Sequence, residues 1–192
     1  IKQGQLSLLG NTDTMTLRSE TDLTVNDVAM TINASGDGKT DIGFEQSQLH
    51  IQLGKGEIDY QGRLAWAGES LVDGHLTVNQ FNPGIILPEW PGSLSGQAPL
   101  TVSQTDNQLN VVLDTLKLSG SLRQKPLAIE AKLSSKANDV LIEHFSARSA
   151  ESTLSVKGKL QQDLMNVNWT LNSPDLQDFY PTLKGRLNGS GS

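Results

Sequence analysis

The run Gly36-Asp37-Gly38-Lys39-Thr40 has residue types that close a phosphate-binding loop: glycine amides and a lysine for phosphate oxygens, and a hydroxyl for a magnesium ion. The earlier glycine of such a loop is replaced by Asn33, and no helical periodicity follows, so the run reads as a hairpin turn. His50, His75 and His144 carry imidazoles that can ligate zinc, but they fall on separate strand segments without a His-x-x-His spacing or a carboxylate companion at ligand spacing. They read as polar-face residues. Glu57, Asp59, Glu69 and Asp73 are close enough in sequence to suggest a general acid/base pair, yet strand alternation scatters them over a solvent face. Asn33, Asn168 and Asn188 each open an Asn-x-Ser/Thr pattern, which is common by chance and marks no site here. No catalytic, metal or cofactor constellation is visible, and a non-enzymatic protein is expected.

Composition narrows the classes further. The 192 residues are 36% hydrophobic but only 5% aromatic, so the apolar surface is mostly aliphatic and spread over many positions. A net charge of -6, with the signs interspersed, offers no basic stripe for phosphates, which argues against nucleic acid as a partner. Absence of cysteine excludes disulfides, thiolate zinc sites and a thiol nucleophile, and leaves the compartment open. The chain starts at Ile1 and contains neither a signal peptide nor an apolar run near the ~18 residues of a membrane helix. A piece of something longer is expected.

The elements that must carry this surface are strands. In Glu57 to Trp66, Ile58, Tyr60, Leu64 and Trp66 share one parity, and the polar residues share the other. The same period of two recurs at Leu49, Ile51, Leu53; Leu76, Val78; Leu100, Val102; Leu109, Val111, Leu113; Leu127, Ile129, Leu133; Leu154, Val156, Leu160; and Val167, Trp169, Leu171. These residues are the expected lining of one apolar face, with Trp66 and Trp169 as core residues of that face. Parity changes between Leu113 and Leu116 and between Val25 and Val28, which predicts a bulge or turn at Asp114-Thr115 and near Asn26-Asp27. Short polar connections at 54–56, 105–107 and 123–126 predict antiparallel hairpins. Gly68 is the expected turn residue of the next connection, leaving Gly74 as a strand glycine.

A repeat is also visible. Thr77/Thr170, Asn79/Asn172, Pro88/Pro181, Gly92/Gly185, Leu94/Leu187 and Gly96/Gly189 all stand 93 residues apart, whereas Ile58, Gly62 and Leu64 match Leu154, Gly158 and Leu160 at a spacing of 96. Two β-repeat units follow, 1–96 and 97–192, within one continuous sheet. Asn82-Pro83 and Ser173-Pro174 read as an N-cap followed by a proline at the first helical position, and Pro88 and Pro181 stop each turn. Short helical turns are therefore expected near 83–88 and 174–180. In the first, Ile85, Ile86, Leu87 and Trp90 are expected to pack on the apolar face as a lid.

The pairing of "LTVNQFNPGIILPEWPGSLSGQ" with "LNSPDLQDFYPTLKGRLNGSG" resembles the TamB family of long, inner-membrane-anchored periplasmic proteins within the AsmA-like group. The resemblance covers nearly the whole chain, as an interior β-repeat segment. It implies an all-β fold in which a long antiparallel sheet curls into an open groove, a β-taco. It also implies carriage of phospholipid between the inner and outer membranes, and a role in outer-membrane protein assembly with the barrel protein TamA. The membrane anchor and the TamA-docking portion are expected to lie outside these residues. Phospholipid acyl chains and neighbouring β-repeats would be the direct partners, in the periplasm.

From the residues alone, one aliphatic face is hidden by closing a barrel, by stacking a sandwich or by curling around something apolar. A non-enzymatic conduit is the leading expectation, with a closed-core spacer or adhesin-like rod and a glycan-acting solenoid enzyme as the other functions open to such a chain. The last lacks a carboxylate cluster, and a membrane barrel lacks aromatic girdles.

Overall fold

The alternation of apolar and polar residues becomes thirteen strands in a computed structural model that describes residues 3–105, 108–137, 139–161, 164–178 and 182–192. These are β1 (Gln3–Gly10), β2 (Thr14–Val25), β3 (Val28–Lys39), β4 (Gly43–Leu53), β5 (Gly56–Ala65), β6 (Ser70–Phe81), β7 (Gly92–Thr105), β8 (Gln108–Leu122), β9 (Lys125–Lys136), β10 (Asp139–Ser149), β11 (Ser152–Gln161), β12 (Leu164–Ser173) and β13 (Leu187–Gly191). Each pairs with its neighbours in sequence, giving a single antiparallel meander in the order β1 to β13. The short connections leave no length for crossovers, which is why order in space follows order in sequence.

The hairpins fall where turn chemistry puts them. Asn26 and Asp27 both have positive φ, 48° and 65°, and Arg123 and Gln124 repeat the arrangement at 51° and 66°. Two left-handed residues in succession match the twist of the flanking strands. Gly54 (φ 62°) and Gly68 (φ 88°) supply the same freedom at their turns. Gly74 lies within β6 opposite Gly62. The parity change after Leu113 is a bulge, in which Asp114 and Thr115 are inserted between the pairs Leu113–Leu133 and Leu116–Ala131. Thr115 adopts φ 51° there. Of the connection expected at 105–107, Thr105 pairs with Gln108, and residues 106 and 107 lie outside the described residues.

Cross-strand register keeps the aliphatic positions in rows. One row runs without slip through Ile32, Ile51, Ile58, Val78, Gly96, Leu118, Ile129, Ala147, Leu154 and Leu171, from β3 to β12. Directly opposed residues share a face, so every strand residue expected in the lining lies on this one side. The division expected at 96/97 falls within β7, and the two repeats share one sheet.

Among the described residues, neither barrel closure nor a second sheet covers that side: β1 and β13 are the two ends of the strand order. Accessible surface is 12080 Å², against about 8,900 Å² for a compact monomer of this mass. The excess is that of an open, curled sheet.

Among the described residues, two short 3₁₀ turns interrupt the meander at one rim, η1 (Pro83–Ile85) and η2 (Leu176–Asp178). Asn82 caps the first, its side-chain oxygen accepting from the Gly84 and Gly92 amides at 2.9 Å each, with Pro83 at the first helical position. In the second, the expected cap, Ser173, turns inward to bond Ser152, and the Asp175 carboxylate accepts the Gln177 amide instead. Residues 179–181 of the second expected turn lie outside the described residues.

Candidate functional site: an apolar groove

On the concave side, six strands from β2 to β7 line an open cavity of about 350 Å³, its wall made of Leu17, Ala34, Phe44, Leu49, Tyr60, Leu64, Val72, Leu76 and Leu100 together with Ser35, Ser47 and Gln48. For strands this far apart in order to line one cavity, the sheet must curl. The size suits an elongated apolar group.

Aromatic rings are laid flat against the sheet where glycines leave room. A methyl added to Gly62 would lie 2.6 Å from the Tyr60 hydroxyl, and one added to Gly74 would lie 2.8 Å from the Tyr60 ring. Phe44 covers Gly36 in the same way, with 2.7 Å available. Tyr60 is thereby buried, and its hydroxyl donates to the Arg63 carbonyl at 3.0 Å. Burial pushes the Tyr60 pKa up. Ser47, also buried, donates to the Gly62 carbonyl at 2.7 Å. Both hydroxyls are thus spent on the backbone, leaving the wall apolar to an occupant.

Of the expected lining residues, Leu49, Tyr60, Leu64, Leu76 and Leu100 meet at this cavity. Ile51, Leu53, Ile58, Val78, Val102, Leu109, Val111, Leu113, Leu127, Ile129, Leu133, Leu154, Val156, Leu160, Val167, Trp169 and Leu171 extend the same face along the sheet. Trp66, just beyond β5, stands edge-on to Phe44 with centroids 5.6 Å apart and donates to the Thr40 carbonyl. It remains 53% exposed, a rim residue and not a core one. Trp169 is 40% exposed over Gly189 and Gly191. Leu17, Phe44 and Val72 are lining residues that the alternation did not single out. Phe44 has the opposite parity to Leu49 because a register shift intervenes between Phe44 and Ser47.

The expected lid divides. Ile85 faces the rim hairpins and Trp90 lies under the Arg123 guanidinium, 4.4 Å from the ring centroid. Ile86 and Leu87 are 56% and 57% exposed, so they do not supply the packing expected of them. A three-residue 3₁₀ turn presents one side chain per turn to a surface, and here that side chain is Ile85.

The outer face carries the polar groups. His50 does acquire a carboxylate that its sequence spacing concealed: it pairs across strands with Asp59, Nδ1 to Oδ1 2.7 Å, with both side chains well solvated. Among the described residues, no group of three potential metal ligands forms. Asp73 stands opposite Arg63, Glu57 reaches Asn79 at 3.4 Å, and Asp37 accepts from Thr16 at 2.7 Å, so these groups are engaged locally and separately. No helix among the described residues is long and apolar enough to cross a membrane.

The family model described as "TamB, N-terminal domain" matches residues 1–192. The chain is also similar to the translocation and assembly module subunit TamB of Haemophilus influenzae, 23% identical over 162 residues, covering 84% of this chain. It spans about 12% of that relative's length. No solved structure matches. With a match along its whole length and a curled antiparallel sheet that carries one continuous apolar face, the chain belongs to the TamB family.

Proposed function

We propose that this chain is a non-enzymatic segment of a hydrophobic conduit that passes phospholipid acyl chains across the periplasm, between inner and outer membranes. The observation that carries this reading is the concave apolar face, continuous in register through β3 to β12 and, among the described residues, uncovered by a second layer. Each methylene withdrawn from water gains about 0.8 kcal/mol, so an aliphatic wall holds an acyl chain without a polar clamp. A wall without anchoring groups also lets the chain slide, because no single position is strongly preferred. The longer protein would be tethered to the inner membrane and would act in outer-membrane protein assembly, with a TamA barrel engaged through parts outside this chain. The translocation and assembly name of its Haemophilus relative supports that assignment.

The test is site-specific photo-crosslinking with a photoreactive residue at Ile58, Leu64, Val111 or Leu154, and at Glu57, Arg63 or Lys157 on the other face. Phospholipid captured by the first set and not by the second is expected. Equal capture by both faces, or none by either, would leave a spacer as the better description.

A further inference from the structure

We propose that η1 and η2 are clips, each tying the preceding hairpins of one rim together and so setting how far the sheet curls at that rim, one by apolar seating and the other by an ionic and hydroxyl latch. In both turns the third residue makes the long-range contact: Ile85 in η1 and Asp178 in η2, 93 residues apart.

The η1 clip reaches back to the β2–β3 and β4–β5 hairpins. Asn26 Nδ2 donates to the Ile85 carbonyl at 2.7 Å, across 59 residues. A methyl built on Gly54 would meet Val28 Cγ1 at 3.2 Å and Ile85 Cδ1 at 3.6 Å, so Ile85 rests between the two hairpins. The η2 clip reaches the corresponding hairpins, β8–β9 and β10–β11. The Asp178 carboxylate accepts from Ser152 at 2.8 Å and from Lys125 at 3.3 Å, and Ser149 donates to the Asp178 carbonyl at 3.3 Å. Its side chain is only 5% exposed, and Ser152 and Ser173, bonded to each other at 2.8 Å, are fully buried.

Equivalent positions in the two repeats change character together. Where the first clip has Ile85, and Val28 as the first residue of β3, the second has Asp178, and Lys125 as the first residue of β9. Where the first has Leu53 and Gly56, the second has Ser149 and Ser152. A carboxylate withdrawn from water is tolerated only with donors that replace its hydration, and an isoleucine needs none. Each clip is therefore internally matched, and exchanging one member alone would not be.

Because the chain has no cysteine, spin labels can be placed in pairs and read by pulsed dipolar spectroscopy. Thr24→Cys with Lys55→Cys reports the first clip, and Ser119→Cys with Glu151→Cys the second. Asp178→Ala is expected to lengthen and broaden the second distance and to speed amide exchange at Ala150, whose N–H bonds Pro126 across the same rim, while the first distance stays unchanged. Asn26→Ala combined with Ile85→Ser should do the reverse. Lys125→Met, which leaves the Ser152 bond intact, should give a smaller shift than Asp178→Ala, and serves as the test if the latter fails to fold. Unchanged second-pair distances in both Asp178→Ala and Lys125→Met, or equal changes at both pairs, would overturn the proposal. These readouts involve no lipid, so they stand or fall separately from the conduit.

Discussion

Replacing Tyr60 with alanine removes the most enclosed ring that the described residues place on the concave face. Tyr60 is 8% exposed, covers Gly62 and Gly74 and lines the 350 Å³ cavity. Truncating a buried aromatic side chain costs about 3–5 kcal/mol, since the two glycines beneath it have no side chains with which to refill the space. At about 2–4 °C per kcal/mol for a chain of this size, the melting temperature should fall by about 6–20 °C. Leu6 is the internal control. It belongs to the same cross-strand row, through Ser19, Ala34 and Leu49, but is 74% exposed on β1, so Leu6→Ala should stay within about 0.5 kcal/mol of the parent. Tyr60→Phe keeps the ring and loses the bond to Arg63, costing about 0.5–1.5 kcal/mol. It should also flatten the alkaline limb of stability. Burial raises the Tyr60 pKa above its ordinary 10.0, so its contribution is complete below that value and is lost as pH rises through the folded-state pKa. Thermal unfolding followed by circular dichroism measures all three variants. A Tyr60→Ala effect no larger than that of Leu6→Ala would refute the claim that this part of the groove is a packed wall.

Two further outcomes are expected. Changing Ile86 and Leu87 together to serine should leave both the melting temperature and amide exchange over residues 82–87 nearly unchanged, because both side chains already meet water, whereas Ile85→Ser should speed that exchange; the opposite pattern would reverse the assignment of the anchoring residue. Asp139, held below the usual carboxylate range by bonds from Lys159 at 2.8 Å and Gln161 at 3.0 Å, contributes stability above its unfolded pKa that is lost as pH falls through its folded one, and Lys159→Met should move its NMR titration upward; an unmoved titration would show that the pair does not persist in solution.

The alternation at Leu127, Ile129 and Leu133, the parity change at Asp114-Thr115 and the glycine at 68 were sufficient to read strands, a bulge and a turn, because each depends on neighbours within a few residues. The shared face of the lining residues was legible for the same reason: the period of two is a property of the extended backbone. Phe44 escaped notice because a local register shift reversed its parity, and Asp178 because a carboxylate reads as solvent-facing unless its donors are seen. Those donors, Lys125 and Ser152, stand 53 and 26 residues away. The His50–Asp59 pair likewise required the β4–β5 register. Whether the sheet closes, stacks or stays open was not written in any one segment. Twist and curl accumulate over thirteen strands, and contacts such as Asn26 to Ile85 join a hairpin to a turn 59 residues further along the chain, so only the tertiary structure decided that the apolar face forms an open groove.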